Sequence, residues 1–210
     1  MVATARMLPA AIVGVAEQGN GAVLVTLAGD GKLLDRRHIE LTERGTPTHP
    51  HHHEGSWAMG RYLDSPWARP ISLPDAVALV EQVGEAAARG ARASLEALSN
   101  AISVPIARIA LRVCPPLPPT IEQRIADHRA QTVADSVMYR EALARAAEAR
   151  GWSVHWYERE SVFDAAARAL KGADIEAFLQ ALGRSVGPPW QAKHKLAAAA
   201  ALAAGSLKSS

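Results

Sequence analysis

The hydrophobic positions change rhythm several times along the chain. Up to Leu41 they fall in short apolar runs, "AAIVGVA", "AVLVTLA" and "KLLDRRHIEL", separated by "QGNG" and "AGDG". Asn20-Gly21 and Asp30-Gly31 supply the positive φ of tight hairpin turns, so this stretch predicts three antiparallel strands in a meander. The first run lacks polar alternation, which places it inside a sheet with both faces covered. From Ser72 the period becomes helical. Val77, Val80, Val83 and Ala87 recur three or four residues apart to about Asn100, behind Ser72 as N-cap and Pro74 in the first turn. "VPIARIALRV" then returns to a buried strand, stopped by "CPPLPP".

Thr120 and Gln123 have the spacing of a capping box, opening one long helix to Arg150 with Ile121, Ile125, Val133, Val137 and Leu143 on its apolar side. Gly151 ends it, and "WSVHWY" predicts a short strand. "ESVFDAAARAL" and "ADIEAFLQALGRSV" add one or two helices. "GPPWQAKHKLAAAAALAAG" predicts a last helix with prolines at its first turn, running to Gly205, and "SLKSS" a frayed tail. An antiparallel meander followed by strand-helix-strand-helix gives an α/β fold: a mixed five-stranded sheet, the meander joined by parallel strands, flanked by helices in a single domain over residues 1–205.

Residues 44–70 fit neither period. They hold Pro47, Pro50, Pro66 and Pro70, the run "THPHHHEGSW", and three aromatics, Trp57, Tyr62 and Trp67. Long structureless loops inside compact domains tend to be functional or disordered. The aromatics favour order, since disordered segments are poor in them, so an ordered loop draped over the sheet is expected. The histidines are no affinity tag: they are internal, broken by Pro50 and closed by Glu54.

Composition narrows the classes. A chain of 210 residues, 49% apolar, suits one well-buried globular domain. Lys and Arg number 23 against 21 Asp and Glu, a balance that neither requires nor excludes nucleic acid, because basic residues can gather on one face. The single cysteine, Cys114, excludes an internal disulfide and suits a reducing compartment. Arg6 and the following "MLPAAIVGVA" have the shape of a signal peptide, but the apolar pattern runs on into "AVLVTL" without a cleavage site, as a first strand would. No run reaches the ~18 apolar residues of a membrane span. The cytoplasm is the expected location, with no membrane partner, and the oligomeric state is left open.

Four stretches carry candidate chemistry. In an extended chain His49, His51 and His53 would face one way, His52 and Glu54 the other. Imidazoles with a carboxylate suit zinc or a similar ion, but a closed site needs further ligands, such as His194 or Glu17; otherwise the histidines cap backbone groups in a solvated loop. On the long helix Arg124, Asp127, His128, Gln131, Asp135 and Tyr139 share a face, with Ser136 and Arg140 beside them. That stripe is either the solvent side of an amphipathic helix or a hydrogen-bonding surface with a role. Trp190, Lys193, His194 and Lys195 open the last helix, where the dipole favours anions and lysines can meet a phosphate or carboxylate; alternatively Trp190 anchors the helix and the lysines are solvated. His155, Tyr157 and Glu158 stand at the exit of the last strand, where α/β sheets gather ligands. Cys114 has no neighbour that would lower its pKa and reads as a small buried residue.

The element order, with the texture of "ADSVMYREALARAAEARGWSVHWYERESVFDAA" and an alanine-rich last helix, resembles the ribonuclease H-like superfamily, most closely its branch of Holliday-junction resolvases. The resemblance spans Ala11 to Ala204 apart from residues 44–70. It implies acidic residues at the end of the first strand, at the end of the fourth and on the last helix, binding two divalent metal ions that activate water and stabilise a leaving phosphodiester oxygen. Here those positions fall on Ala16 with Glu17 beside it, on Arg112 or Val113, and near Lys193, His194 or Ala197, so the usual acids are missing. Two expectations follow. One is a domain that associates with nucleic acid as a divergent phosphodiesterase, with Glu17, Glu54 and His194 as catalytic stand-ins and His51, His52 and His53 holding magnesium, manganese or zinc. The other is a non-catalytic relative whose groove, covered by residues 44–70, takes a protein or small ligand. Trp57, Asp135, Tyr139, Arg140, Trp190 and Lys193 are the candidate binding residues.

Overall fold

The computed structural model describes residues 10–205; the expected tail at 206–210 lies outside the described residues. Strands β1 (Ala11–Gln18), β2 (Gly21–Leu27), β3 (Leu33–Glu40), β4 (Ile106–Arg112) and β5 (Ser153–Tyr157) form one sheet in the order β3-β2-β1-β4-β5. The meander is antiparallel, pairing Ala16 with Val23 and Val23 with His38. β4 joins β1 in parallel, Gly14 opposite Ala110, and β5 joins β4 in parallel, Ala110 opposite His155. This is the expected mixed sheet, with the unalternating first strand at its centre.

Alternate side chains divide the sheet between two cores. Ala11, Val13, Val15, Leu24, Ile109 and Leu111 pack under α2 (Leu73–Ala101) and α4 (His128–Glu148). α2 follows its sequence signals closely: the Ser72 side chain accepts from the Asp75 N–H, and Ala76, Val80, Val83, Ala87, Ala91, Leu95 and Leu98 form the buried stripe. On the other face Ala16, Val23, Val25, Leu27 and Ala110 meet α7 (Ala192–Gly205), against which α5 (Val162–Ala169) and α6 (Ile175–Val186) pack. Every residue of α7 from Ala197 to Ala204 is buried. Its alanines let the helix lie almost on the strand: a Cβ at Gly14 would overlap the backbone carbonyl of Ala197.

Three expectations are corrected. The helix expected from Thr120 to Arg150 is two helices, α3 (Ile121–Ala126) and α4. Thr120 and Gln123 do form the capping box, but Asp127 leaves helical geometry (φ −87°, ψ 114°) and its carboxylate accepts from the N–H groups of Arg129 and Ala130. A side chain that satisfies the next turn's free donors starts a new helix rather than extending the old one. The prolines at 188 and 189 precede the last helix instead of forming its first turn, since α7 begins at Ala192. Residues 44–70 contain a short helix, α1 (His53–Ala58). They seat against α2, α3 and α4, with Thr48 beside Gly19 just past the end of β1.

Candidate functional site

The parallel strands β1, β4 and β5 all end toward the same edge of the molecule, where ligands of α/β sheets gather. A cleft of about 450 Å³ opens there. Glu17, Gln18 and Gly19 at the end of β1 form one wall and Arg112 closes β4; Ser136 and Arg140 reach in from α4, Arg159 from the turn after β5, and Lys193 from the start of α7. A second cleft shares Arg112, Ser136 and Arg140 with it and continues outward past Glu158 and Glu160.

Inside the first cleft charge is distributed unevenly. Among the described residues Arg112, Arg140, Arg159 and Lys193 line it with Glu17 as the one carboxylate. The Glu17 Oε1 atom lies 3.0 Å from Arg140 and 3.8 Å from Arg112. Arg140 is only 5% exposed; it donates to the Val113 carbonyl at 2.8 Å, while its Nε–H is buried without a hydrogen-bond partner among the described residues. Lys193 donates to the backbone carbonyl of Glu17 at 2.5 Å. Burial pushes the Cys114 thiol up, and the neighbouring Arg140 offsets only part of that. The thiol is therefore not a ready nucleophile.

A two-metal centre needs convergent carboxylates. Here the one carboxylate is engaged by two guanidinium groups, and the remaining positions offer cations that would repel a divalent ion. The side chains of this cleft do not fit such a centre. Among the described residues no three His, Cys, Asp or Glu side chains are grouped so as to hold a metal ion. Glu17, Glu54, His194 and the histidines of residues 51–53 therefore do not come together. Glu54 belongs to α1, against α2 and α3. His194 accepts from the Gln191 N–H at 3.1 Å and stacks on Trp190, their ring centroids 5.6 Å apart.

The histidine run has a different task. His51 is 1% exposed. The Asp135 Oδ1 atom takes both its backbone N–H, at 3.0 Å, and its ring Nδ1, at 2.9 Å, while Oδ2 takes the His52 N–H at 3.2 Å. Tyr139 donates its hydroxyl to the Thr48 carbonyl at 2.9 Å, and burial pushes that phenol well above its ordinary pKa. Ser56 donates to Gln131 at 2.9 Å and also to the His52 carbonyl. The stripe Gln131, Asp135 and Tyr139 is thus a buried receptor for residues 48–56. The alternation of an extended chain does not apply, because the segment coils into α1. The rings of His49 and His52 instead gather around His53, at 5.4 and 5.5 Å between centroids, and His53 stacks on the half-buried Trp57 at 6.5 Å.

Trp190 caps Gly183 of α6, where a Cβ would strike its ring, and so anchors the approach to α7. Sequence reasoning passed over Arg159 altogether and treated Arg112 only as a missing acid. A signal existed: "ALRV" and "YERE" place an arginine at or just beyond the ends of two adjacent parallel strands, and such ends converge in space.

The fold and cleft define a class, an α/β domain of ribonuclease H-like architecture with a cationic rather than an acidic strand-end site. The chain is similar in structure to RuvC of Thermus thermophilus solved in complex with a Holliday junction substrate, at a TM-score of 0.51 and 13% identity, covering 92% of this chain and 91% of that one. A second solved structure of Thermus thermophilus RuvC aligns with the same coverage and identity at a TM-score of 0.48. At this identity the likeness is one of fold. No family model matches the chain, and no curated protein matches it in sequence. Among the described residues no helix is long and apolar enough to cross a membrane.

Proposed function

We propose that this protein is a nucleic-acid-associating ribonuclease H-like domain that holds the phosphate backbone at the ends of β1, β4 and β5, without two-metal phosphodiester cleavage. The observation that carries this is the cleft itself: Arg112, Arg140, Arg159 and Lys193 around a single carboxylate. Clustered cations facing a concave surface are the electrostatic footprint of phosphate recognition, and they stand on a fold whose solved neighbour was captured with a Holliday junction substrate. Arginine suits the task, since its planar fork matches phosphate oxygens in pairs.

The test is fluorescence anisotropy with a labelled four-way DNA junction, a duplex and a single strand, in EDTA, at salt concentrations from about 50 to 200 mM. Binding that weakens steeply with salt supports the proposal. No binding to any of the three at the lowest salt would overturn it. Incubating the same junction with magnesium or manganese should leave it intact.

A second reading, a protein-binding module, has one observation behind it. Met59, Tyr62, Leu63 and Trp67 are exposed within nine residues, Trp67 by 69%, and exposed apolar residues so close together mark contact surfaces. A stable partner recovered with the whole protein and lost when Tyr62 and Trp67 are both changed to serine would favour it.

A further inference from the structure

The cleft already contains an anion, and it belongs to the protein. Glu17 is 17% exposed at its side chain and bridges Arg140 and Arg112 through a single oxygen. It leaves much of the surrounding positive charge unmatched. Arg112 is held loosely at 3.8 Å, and Arg159, exposed at the rim, forms no ion pair among the described residues. Lys193 is fixed by a carbonyl, which orients its ammonium group without neutralising it. The buried Arg140 keeps one N–H donor unused, beside a neutral thiol. α7 starts at the same wall with no acid in its first turn, so its free N–H groups add to the field.

We propose that the cleft binds one phosphoryl group directly, without a metal ion, on Arg112, Arg140, Arg159 and Lys193, and that Glu17 is an internal competitor which the ligand displaces from the two arginines. This deepens the nucleic-acid reading and uses the same cleft. In a metal-dependent site the acid at the end of the first strand assists the ligand; here it opposes the ligand. A carboxylate and a phosphate oxygen compete for the same guanidinium fork, and two like charges in one small site repel.

The sign of one substitution separates the two cases. Inorganic phosphate is titrated into the whole protein by calorimetry, in EDTA, with ionic strength held constant by chloride. Wild type should bind weakly. Glu17→Gln, which keeps an oxygen for Arg140 but removes the charge, should bind about tenfold more tightly. Arg112→Gln and Arg159→Gln should each bind several-fold more weakly, and millimolar magnesium should change none of these values. Glu17→Gln binding no tighter than wild type overturns the proposal, as does manganese uptake by wild type that Glu17→Gln abolishes. If Glu17→Gln does not fold, as near-ultraviolet circular dichroism would show, the two arginine variants decide: unchanged phosphate affinity in both is equally fatal.

The source of the phosphoryl group is resolved by comparing a tetranucleotide with and without a 5′-phosphate. Equal affinity identifies a backbone diester, and preference for the phosphorylated form identifies a strand end. Tighter phosphate binding by Glu17→Gln with no junction binding would sustain this inference while ending the nucleic-acid reading. Junction binding with no response to Glu17→Gln would do the reverse.

Discussion

The carboxylate of Asp135 and the backbone and ring of His51 make a buried clasp: one oxygen accepts both the His51 N–H and its ring nitrogen, at 3.0 and 2.9 Å. Asp135 lies on α4 one residue before Ser136 and five before Arg140, both of which line the cleft. The same helix therefore secures residues 48–56 on one side and offers its arginine to the site on another. The clasp leaves the His51 Nε2 buried and without a partner among the described residues, a cost that the remaining bonds must outweigh.

Asp135→Ala should cost about 3 kcal/mol of unfolding free energy, because it strands the buried N–H and imidazole of His51 and the part-buried N–H of His52, which had shared one carboxylate. Urea unfolding measures the loss. Limited proteolysis should cut residues 44–70 faster in the variant, while a protein unchanged in both assays would show that the clasp is dispensable.

Two glycines should respond in opposite directions. Gly14→Ala drives a methyl group into the carbonyl of Ala197 on α7 and should destabilise by about 3 kcal/mol or fail to fold. Gly84 sits within α2, where an added Cβ would meet only the Met138 side chain at 3.6 Å, an ordinary contact. Gly84→Ala should stabilise by about 0.5–1 kcal/mol through lower unfolded-state entropy. Thermal unfolding of the pair is the check.

Burial pushes the Glu54 carboxyl above its ordinary 4.5, a shift that a backbone hydrogen bond and then His53 and His49 only partly oppose, and its Oε2 atom has no hydrogen-bond partner among the described residues. An acid whose pKa rises on folding holds its proton more tightly in the native state. Its contribution to stability is therefore largest in acid and is lost as pH climbs through the native value. Glu54→Gln should melt above wild type at pH 7, with the gap closing below about pH 4. A gap independent of pH would contradict this assignment.

If the cleft holds backbone phosphates, the logarithm of junction affinity should fall linearly with the logarithm of salt. Arg112→Gln and Arg159→Gln should each flatten that slope by about one. An unchanged slope in both would place the contact elsewhere on the surface.

Much of the architecture was legible from period and punctuation. Asp30-Gly31, the Ser72 cap and the Thr120–Gln123 box each mark an element boundary found in the fold. The first hairpin also turns where expected, but Gly19 (φ 58°), not Asn20-Gly21, supplies its positive φ, and Gly21 is already in β2. The break at Asp127 was missed because its apolar period runs through α3 and α4 alike, and only the capping carboxylate interrupts it. The polar stripe on α4 was seen but could not be assigned an inside or an outside. Helical spacing says that Gln131, Asp135 and Tyr139 share a face; what covers that face lies some eighty residues away in sequence. The cleft escaped notice for a related reason. Arg112, Arg140, Arg159 and Lys193 are brought together by parallel pairing and helix packing, which no local spacing encodes. Expectation was also directed to acids, and the structure answers with cations.

The seating of α7 on Gly14 also governs how the protein is made. α5 docks chiefly on α7 rather than on the strands, so one whole face of the sheet waits for the final fourteen described residues. During synthesis β1, β2 and β4 are available long before their cover, and Val23, Val25 and Ala110 stand open on a nascent chain. Partly built sheets of this kind are prone to aggregate. Completion comes only when residues 192–205 are free to dock, and until then this face of the sheet depends on a chaperone for cover.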